Sequence, residues 1–120
     1  MNKLLLLVIF SLINTNAFAG FVHPMDFKLS QKNEVIEFIK EGVRKDYCNG
    51  MVDMCNNSTL RMMEQENLNA FKELTKAKNR EIMNRVIKDY CNSSINMCSY
   101  SNILMMYEEN LRASQKELEW

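Results

Sequence analysis

The sequence predicts an all-α protein: two tandem disulfide-stapled helical hairpins, a four-helix repeat array, behind a cleaved signal peptide. Three observations predict it. Apolar residues recur at steps of three and four, a long segment is repeated at an offset of 43, and four cysteines fall into two equally spaced pairs. No stretch alternates with period two over strand length, and Pro24 is the only proline.

Met1-Asn2-Lys3 is a short basic start, Leu4 to Ile13 is apolar, and Ala17-Phe18-Ala19 before Gly20 has the small-x-small pattern of a signal-peptidase site. The apolar run is about half the roughly 20 residues that span a bilayer, so residues 1–19 read as a signal peptide and not as an anchor. Cleavage leaves residues 20–120 as one helical domain of two repeats, about 30–74 and 75–120, with no stable membrane anchor. The expected location is the periplasm or the cell exterior.

The repeat sets Val43-Arg44-Lys45-Asp46-Tyr47-Cys48-Asn49 over Val86-Ile87-Lys88-Asp89-Tyr90-Cys91-Asn92. It continues through Met54-Cys55 over Met97-Cys98, Met62-Met63 over Met105-Met106, and Glu66-Asn67-Leu68 over Glu109-Asn110-Leu111. From Val43 to Phe71, 15 of 29 positions are identical, which marks an internal duplication. Each copy reads as helix, Cys-bounded loop, helix.

In the first copy Ile36, Ile39, Val43 and Tyr47 form one apolar stripe, and Leu60, Met63, Ala70, Phe71 and Leu74 form the next. Ser30 and Ser58 are the expected N-caps, and Asn49-Gly50 is expected to end the first helix through positive φ. The second copy repeats the stripes with Ile82, Val86 and Tyr90, then Ile103, Met106, Tyr107 and Ala113. Residues 75–81 form the polar link, and an extended segment, Phe21 to Leu29, precedes the helices. The shared positions Tyr47/Tyr90 and Met63/Met106 are assigned to the core. Asn67 and Asn110 sit in equivalent apolar stripes, where each is expected to bond the loop of its own hairpin. A helix-pair plan is shared in shape with tetratricopeptide and Sel1-like units, whose shorter period and small-residue and aromatic signatures are absent here.

Cys48/Cys55 and Cys91/Cys98 are each separated by six residues. In an exported chain they read as two disulfides, and duplication favours pairing within each copy, because the ancestral unit had to satisfy itself. Closing an eight-residue loop is worth about 2.5 kcal/mol in the chain-entropy model. A four-thiolate zinc site would want ligands two to four residues apart, so no metal is expected.

Fifteen basic and fifteen acidic residues cancel, which argues against a nucleic-acid binder. One His, no nucleophile elbow, no phosphate loop and no metalloprotease motif leave no catalytic set, so neither an enzyme nor a cofactor is expected. Ten Met raise a copper(I) alternative, but Met62 and Met63 point about 100° apart on a helix and cannot chelate one ion together. Small, stapled and exported, the chain is read as binding a protein partner: an inhibitor or immunity protein blocking a toxin or cell-wall hydrolase. The alternative is a helical scaffold that associates with the envelope. The partner is sought where the copies differ, at Tyr100, Leu104 and Tyr107, which stand where the first copy has Asn57, Arg61 and Glu64. The competing assignment for those three is packing against the N-terminal arm through Phe21, Val22 and Phe27.

Overall fold

The computed structural model describes residues 20–50, 53–94 and 97–120. The expected signal peptide, residues 1–19, lies outside them, as do the centres of the two Cys-bounded loops. Four helices follow in order: α1 (Lys32–Cys48), α2 (Asn57–Leu74), α3 (Arg80–Cys91) and α4 (Tyr100–Ser114). No strand occurs among the described residues. Cys48 is bonded to Cys55 and Cys91 to Cys98, with Cα atoms 4.5 and 4.6 Å apart, so each bridge ties the end of one helix to the approach of the next. The two bridges point to an oxidising, extracytoplasmic environment. No helix among the described residues is long and apolar enough to cross a membrane.

The helix ends follow the offset of the duplication. α1 and α3 both finish at the first Cys of their copy, and α2 and α4 both begin two residues after the second. Their starts are set by side-chain caps: Asn56 accepts from the Thr59 N–H at 2.8 Å, Asn79 from Ile82 at 3.0 Å, and Ser99 from Asn102 at 3.2 Å. Asn56 therefore caps where Ser58 was expected, and the link shortens to 75–79. Ser30 is no cap either. It lies in a 3₁₀ turn, Leu29–Gln31, closed by the Gln31 side chain accepting from the Lys28 N–H. Nor does any described residue take a positive φ. α1 ends at Asn49 with φ −113°, and Gly50 is needed for closeness instead, since a Cβ there would lie 2.7 Å from the Asp46 carbonyl oxygen.

α1 packs on α2, α3 on α4, and α4 also lies along α2. The buried core runs through Val35, Ile39 and Val43 of α1, then Leu60, Ala70, Phe71 and Leu74 of α2. It continues through Met83 and Val86 of α3 to Tyr100, Ile103 and Tyr107 of α4. Tyr47, Tyr90, Met63 and Met106, expected in the core as shared positions, are only half-buried at its margin. Full burial instead reaches Tyr100 (0% exposed) and Tyr107 (6%), two positions where the copies differ.

The N-terminal arm explains the burial of Tyr100. It is extended except for a 3₁₀ turn, Pro24–Asp26, and it buries Val22 and Pro24. The Tyr100 hydroxyl accepts from the Val22 N–H at 3.2 Å and donates to the Val22 carbonyl at 3.0 Å. Its ring lies 5.3 Å from Phe21 (stacked), 5.3 Å from Phe38 and 4.8 Å from Phe71. Phe27 meets Phe71 edge-on at 5.0 Å. Farther along, His23 accepts from the Met25 N–H through Nδ1, which leaves Nε2–H to donate to Asn84 at 2.7 Å. Asp26 takes both ends of the Arg80 guanidinium at 2.8 and 3.1 Å, and that hydrogen-bonded pair holds its carboxyl below the ordinary value. The arm thus touches all four helices.

Two substitutions test this packing. Tyr100→Phe should cost about 1–3 kcal/mol in urea denaturation, because it strands the Val22 N–H and C=O in a buried setting. Tyr107→Ala should cost about 3–5 kcal/mol, as expected for truncating a large core side chain.

Candidate functional site

Where α4 begins, it crosses the junction of α1 and α2 and leaves a cavity of about 220 Å³. Gly42 opens it, since a Cβ at that position would meet nothing within 4 Å. Phe38, Tyr47 and Met63 supply apolar wall, and Asp46, Glu66, Asn67 and Ser101 supply polar wall. Residues of both copies therefore build the site.

Asn67, 7% exposed, is the hinge of this junction. Its Nδ2 donates to the Met63 carbonyl one turn back at 2.9 Å, and its Oδ1 accepts from the Ser101 N–H at 3.2 Å. Among the described residues it makes no bond to its own loop. Asn67 instead serves as a second cap on α4, beside Ser99, satisfying a first-turn N–H across the two copies. Asn110 keeps only the local half of this pattern, donating to Met106 at 2.7 Å from an exposed position. The Ser101 hydroxyl is buried and has no hydrogen-bond partner among the described residues. Desolvation pushes the Asp46 carboxyl above its ordinary value, opposed by the neighbouring Lys45. Its place in the last turn of α1 adds a like-signed helix end.

The expected partner face at Tyr100, Leu104 and Tyr107 needs correction. Tyr100 and Tyr107 are buried, and Leu104 is half-buried against the core. Tyr100 takes the arm-packing alternative through Phe21 and Val22, and the Tyr107 hydroxyl accepts from the Asn79 N–H at 3.1 Å. These side chains differ between the copies because α4 must bury a face that α2 leaves open. On α2 the corresponding Asn57 and Arg61 are exposed, and Arg61 pairs with Glu64 at 2.9 Å. The receiving side differs in the same sense: Phe38, Phe71 and Leu74 of the first copy align with Glu81, Ser114 and Glu117 of the second, all exposed.

A different set of repeat-related residues is exposed. Met54 and Met97 are each 41% exposed, and Met62 and Met105 are 62% and 57% exposed. These repeat-related pairs stay identical although exposed neighbours diverge, Gln65 to Glu108 and Asn69 to Arg112 among them. Beyond the cavity, Met105 and Glu108 of α4 border a shallow trough with Glu66, Asn69 and Glu73 of α2. Met62 stands one turn before Glu66 on that α2 face. The cavity and the trough share Glu66 and Ser101, so together they form one furrow along the α2–α4 seam, which runs on past Glu73, Leu104 and Glu108 to Lys76 and Lys78. The pairing of the methionines was visible in the sequence; which member of Met62-Met63 faces outward was not.

No protein-family model matches the chain, and no curated protein or solved structure is significantly similar to it.

Asp46→Asn tests the electrostatics. Because the folded carboxyl holds its proton more tightly than the unfolded one, the charged form destabilises the fold above the raised pKa. The cost disappears as pH falls through that value and then through the unfolded value near 3.9. Asp46→Asn should therefore gain up to about 1 kcal/mol at pH 7, limited by solvent screening of an exposed residue, and nothing at pH 3. Urea denaturation at the two pH values checks the sign.

Proposed function

We propose that this chain is a small exported, periplasmic protein-binding module, built as two tandem disulfide-stapled helical hairpins behind a cleaved signal peptide. Its specific role in this reading is that of an inhibitor or immunity-type protein blocking a toxin or cell-wall hydrolase in the same compartment. It binds and carries out no reaction itself.

One observation carries the reading: the exposed methionine pairs Met54/Met97 and Met62/Met105 are kept in both copies. An exposed thioether side chain gains nothing from water and contributes little to folding. Drift in a duplicated segment would remove such residues as readily as it changed their neighbours. Retention is understood if they touch something. Met suits a protein partner, since its flexible and polarisable side chain adapts to an apolar surface. The frame suits the task as well, because two short disulfide loops and a docked arm reduce the ordering cost of association.

A photoreactive residue at position 62 or 105 should cross-link one discrete protein of the exported fraction, whose hydrolytic or toxic activity falls when the chain is added. Met62→Ser with Met105→Ser should weaken that complex by about tenfold or more, equivalent to roughly 1.4 kcal/mol. The denaturation midpoint should barely move. Cross-linking no stronger from position 62 or 105 than from exposed Glu34 on α1 would remove the reading.

A further inference from the structure

We propose that the seam between α1 and α2 binds a free single-chain anionic amphiphile of the fatty-acid class, with its hydrocarbon along the seam and its carboxylate at Lys32 and Lys72. The site lies on a different flank of α2 from the methionine furrow and goes beyond the protein-binding reading.

Two adjoining hollows make the site. The larger, about 400 Å³, is lined by the hydrocarbon of Phe27, Leu29, Val35, Ile36, Leu68 and Phe71. The smaller, about 270 Å³, continues it past Ile36 and Leu68 to Ile39 and Gln65. Small-molecule sites run from about 300 to 1,000 Å³ and are mostly apolar, with a few polar groups that set the orientation of the ligand. Leu29 stands 81% exposed beside the larger hollow, which leaves apolar surface for a hydrocarbon to cover.

The charge along the seam selects the headgroup. Its charged lining is Lys32, Lys40, Lys72 and Arg61 against Glu64. Arg61 and Glu64 satisfy each other at 2.9 Å, and the three lysines form no ion pair among the described residues. The carboxylates nearest in sequence do not offset them. Asp26, beside Phe27, is held by Arg80, and Glu73, beside Lys72, is engaged by Lys76 at 3.1 Å. On α1, Glu34 lies about 160° round from Lys32 and Glu37 about 60° round from Lys40. Lys32 and Lys72 both border the larger hollow, so one carboxylate there meets two ammonium groups. Lys40, about 12 Å farther along α1, adds to the field without reaching that head.

An alkyl chain also suits this lining better than an extended peptide does. The two helices satisfy their own backbone groups, and the Thr75 hydroxyl already donates to the Lys72 carbonyl at 2.6 Å. An extended strand would therefore leave N–H and C=O groups stranded on hydrocarbon, whereas an alkyl chain carries none.

The probe is dodecanoate below its micelle concentration, titrated into the disulfide-bonded chain by calorimetry, with dodecyltrimethylammonium as the cationic control. Dodecanoate should bind and the cation should not. Lys32→Gln with Lys72→Gln should raise the Kd by about tenfold, as loss of two charge-assisted contacts requires, and leave the denaturation midpoint in place. Lys40→Gln should raise it less. Leu29→Ser should weaken binding without changing its salt dependence. Equal binding of the two amphiphiles, or a Kd untouched by the lysine pair, overturns the proposal. So does a leucine–glutamate helical peptide that binds the same lysines more tightly than dodecanoate, since a protein segment would then be the occupant. Binding to phosphatidylglycerol vesicles without binding of free dodecanoate overturns it as well, because the seam would then meet a membrane surface.

Discussion

The two hydrogen bonds between the Tyr100 hydroxyl and the Val22 backbone are the constraint on which the rest of the structure depends. Four short amphipathic helices could pair in several ways, and isolated helices of this length are marginal in water. Tyr100 removes that freedom. Its ring fills the space between Phe21, Phe38 and Phe71, and its hydroxyl satisfies a donor and an acceptor that burial of the arm would otherwise strand. Burial also pushes the hydroxyl well above the ordinary tyrosine value, so it remains a protonated donor at any pH the protein meets. One side chain of α4 thereby fixes the arm, and through the arm the two copies.

That anchor positions the furrow. With Tyr100 seated, the first turn of α4 comes down on Asn67, which caps it at Ser101. The cavity floor, the unpartnered Ser101 hydroxyl and the wall from Glu66 to Met105 all follow from where that turn rests. The disulfides work at a different level. Each closes a short local loop and limits the unfolded chain, while the contact between copies comes from aromatic packing and backbone capping.

Much of this was legible in the sequence. The period of three and four gave four helices, and the duplication gave both cysteine pairings, because a unit that once stood alone had to close its own loop. The helix caps were harder. Asn56 and Ser58 are both competent, and only the fold decides which oxygen meets a free N–H. The larger lesson lies in the unequal positions. Tyr100 and Tyr107 were assigned to a partner surface because they break the repeat symmetry, yet symmetry must also break wherever one copy packs on the other. Asn57 and Arg61 face solvent on α2 and Glu64 is half-buried beneath Arg61, whereas their α4 equivalents meet the arm, the link and the first copy. The equal positions held the complementary information. Tyr47, Tyr90, Met63 and Met106 were placed in the core because they were shared, but sharing also marks surface that does the same job twice. Periodicity cannot separate these cases, since it reports the face of a helix and not what covers it.

Native-state hydrogen exchange at the Val22 amide tests the central claim most directly. A residue so near the arm's start frays easily unless tied down, whereas one locked by Tyr100 exchanges only when the whole molecule opens. The account predicts that Val22 exchanges with the same opening free energy as the core amides of α4, Ile103 and Tyr107. Exchange of Val22 at the rate of an unstructured terminus, with Ile103 still protected, would contradict it.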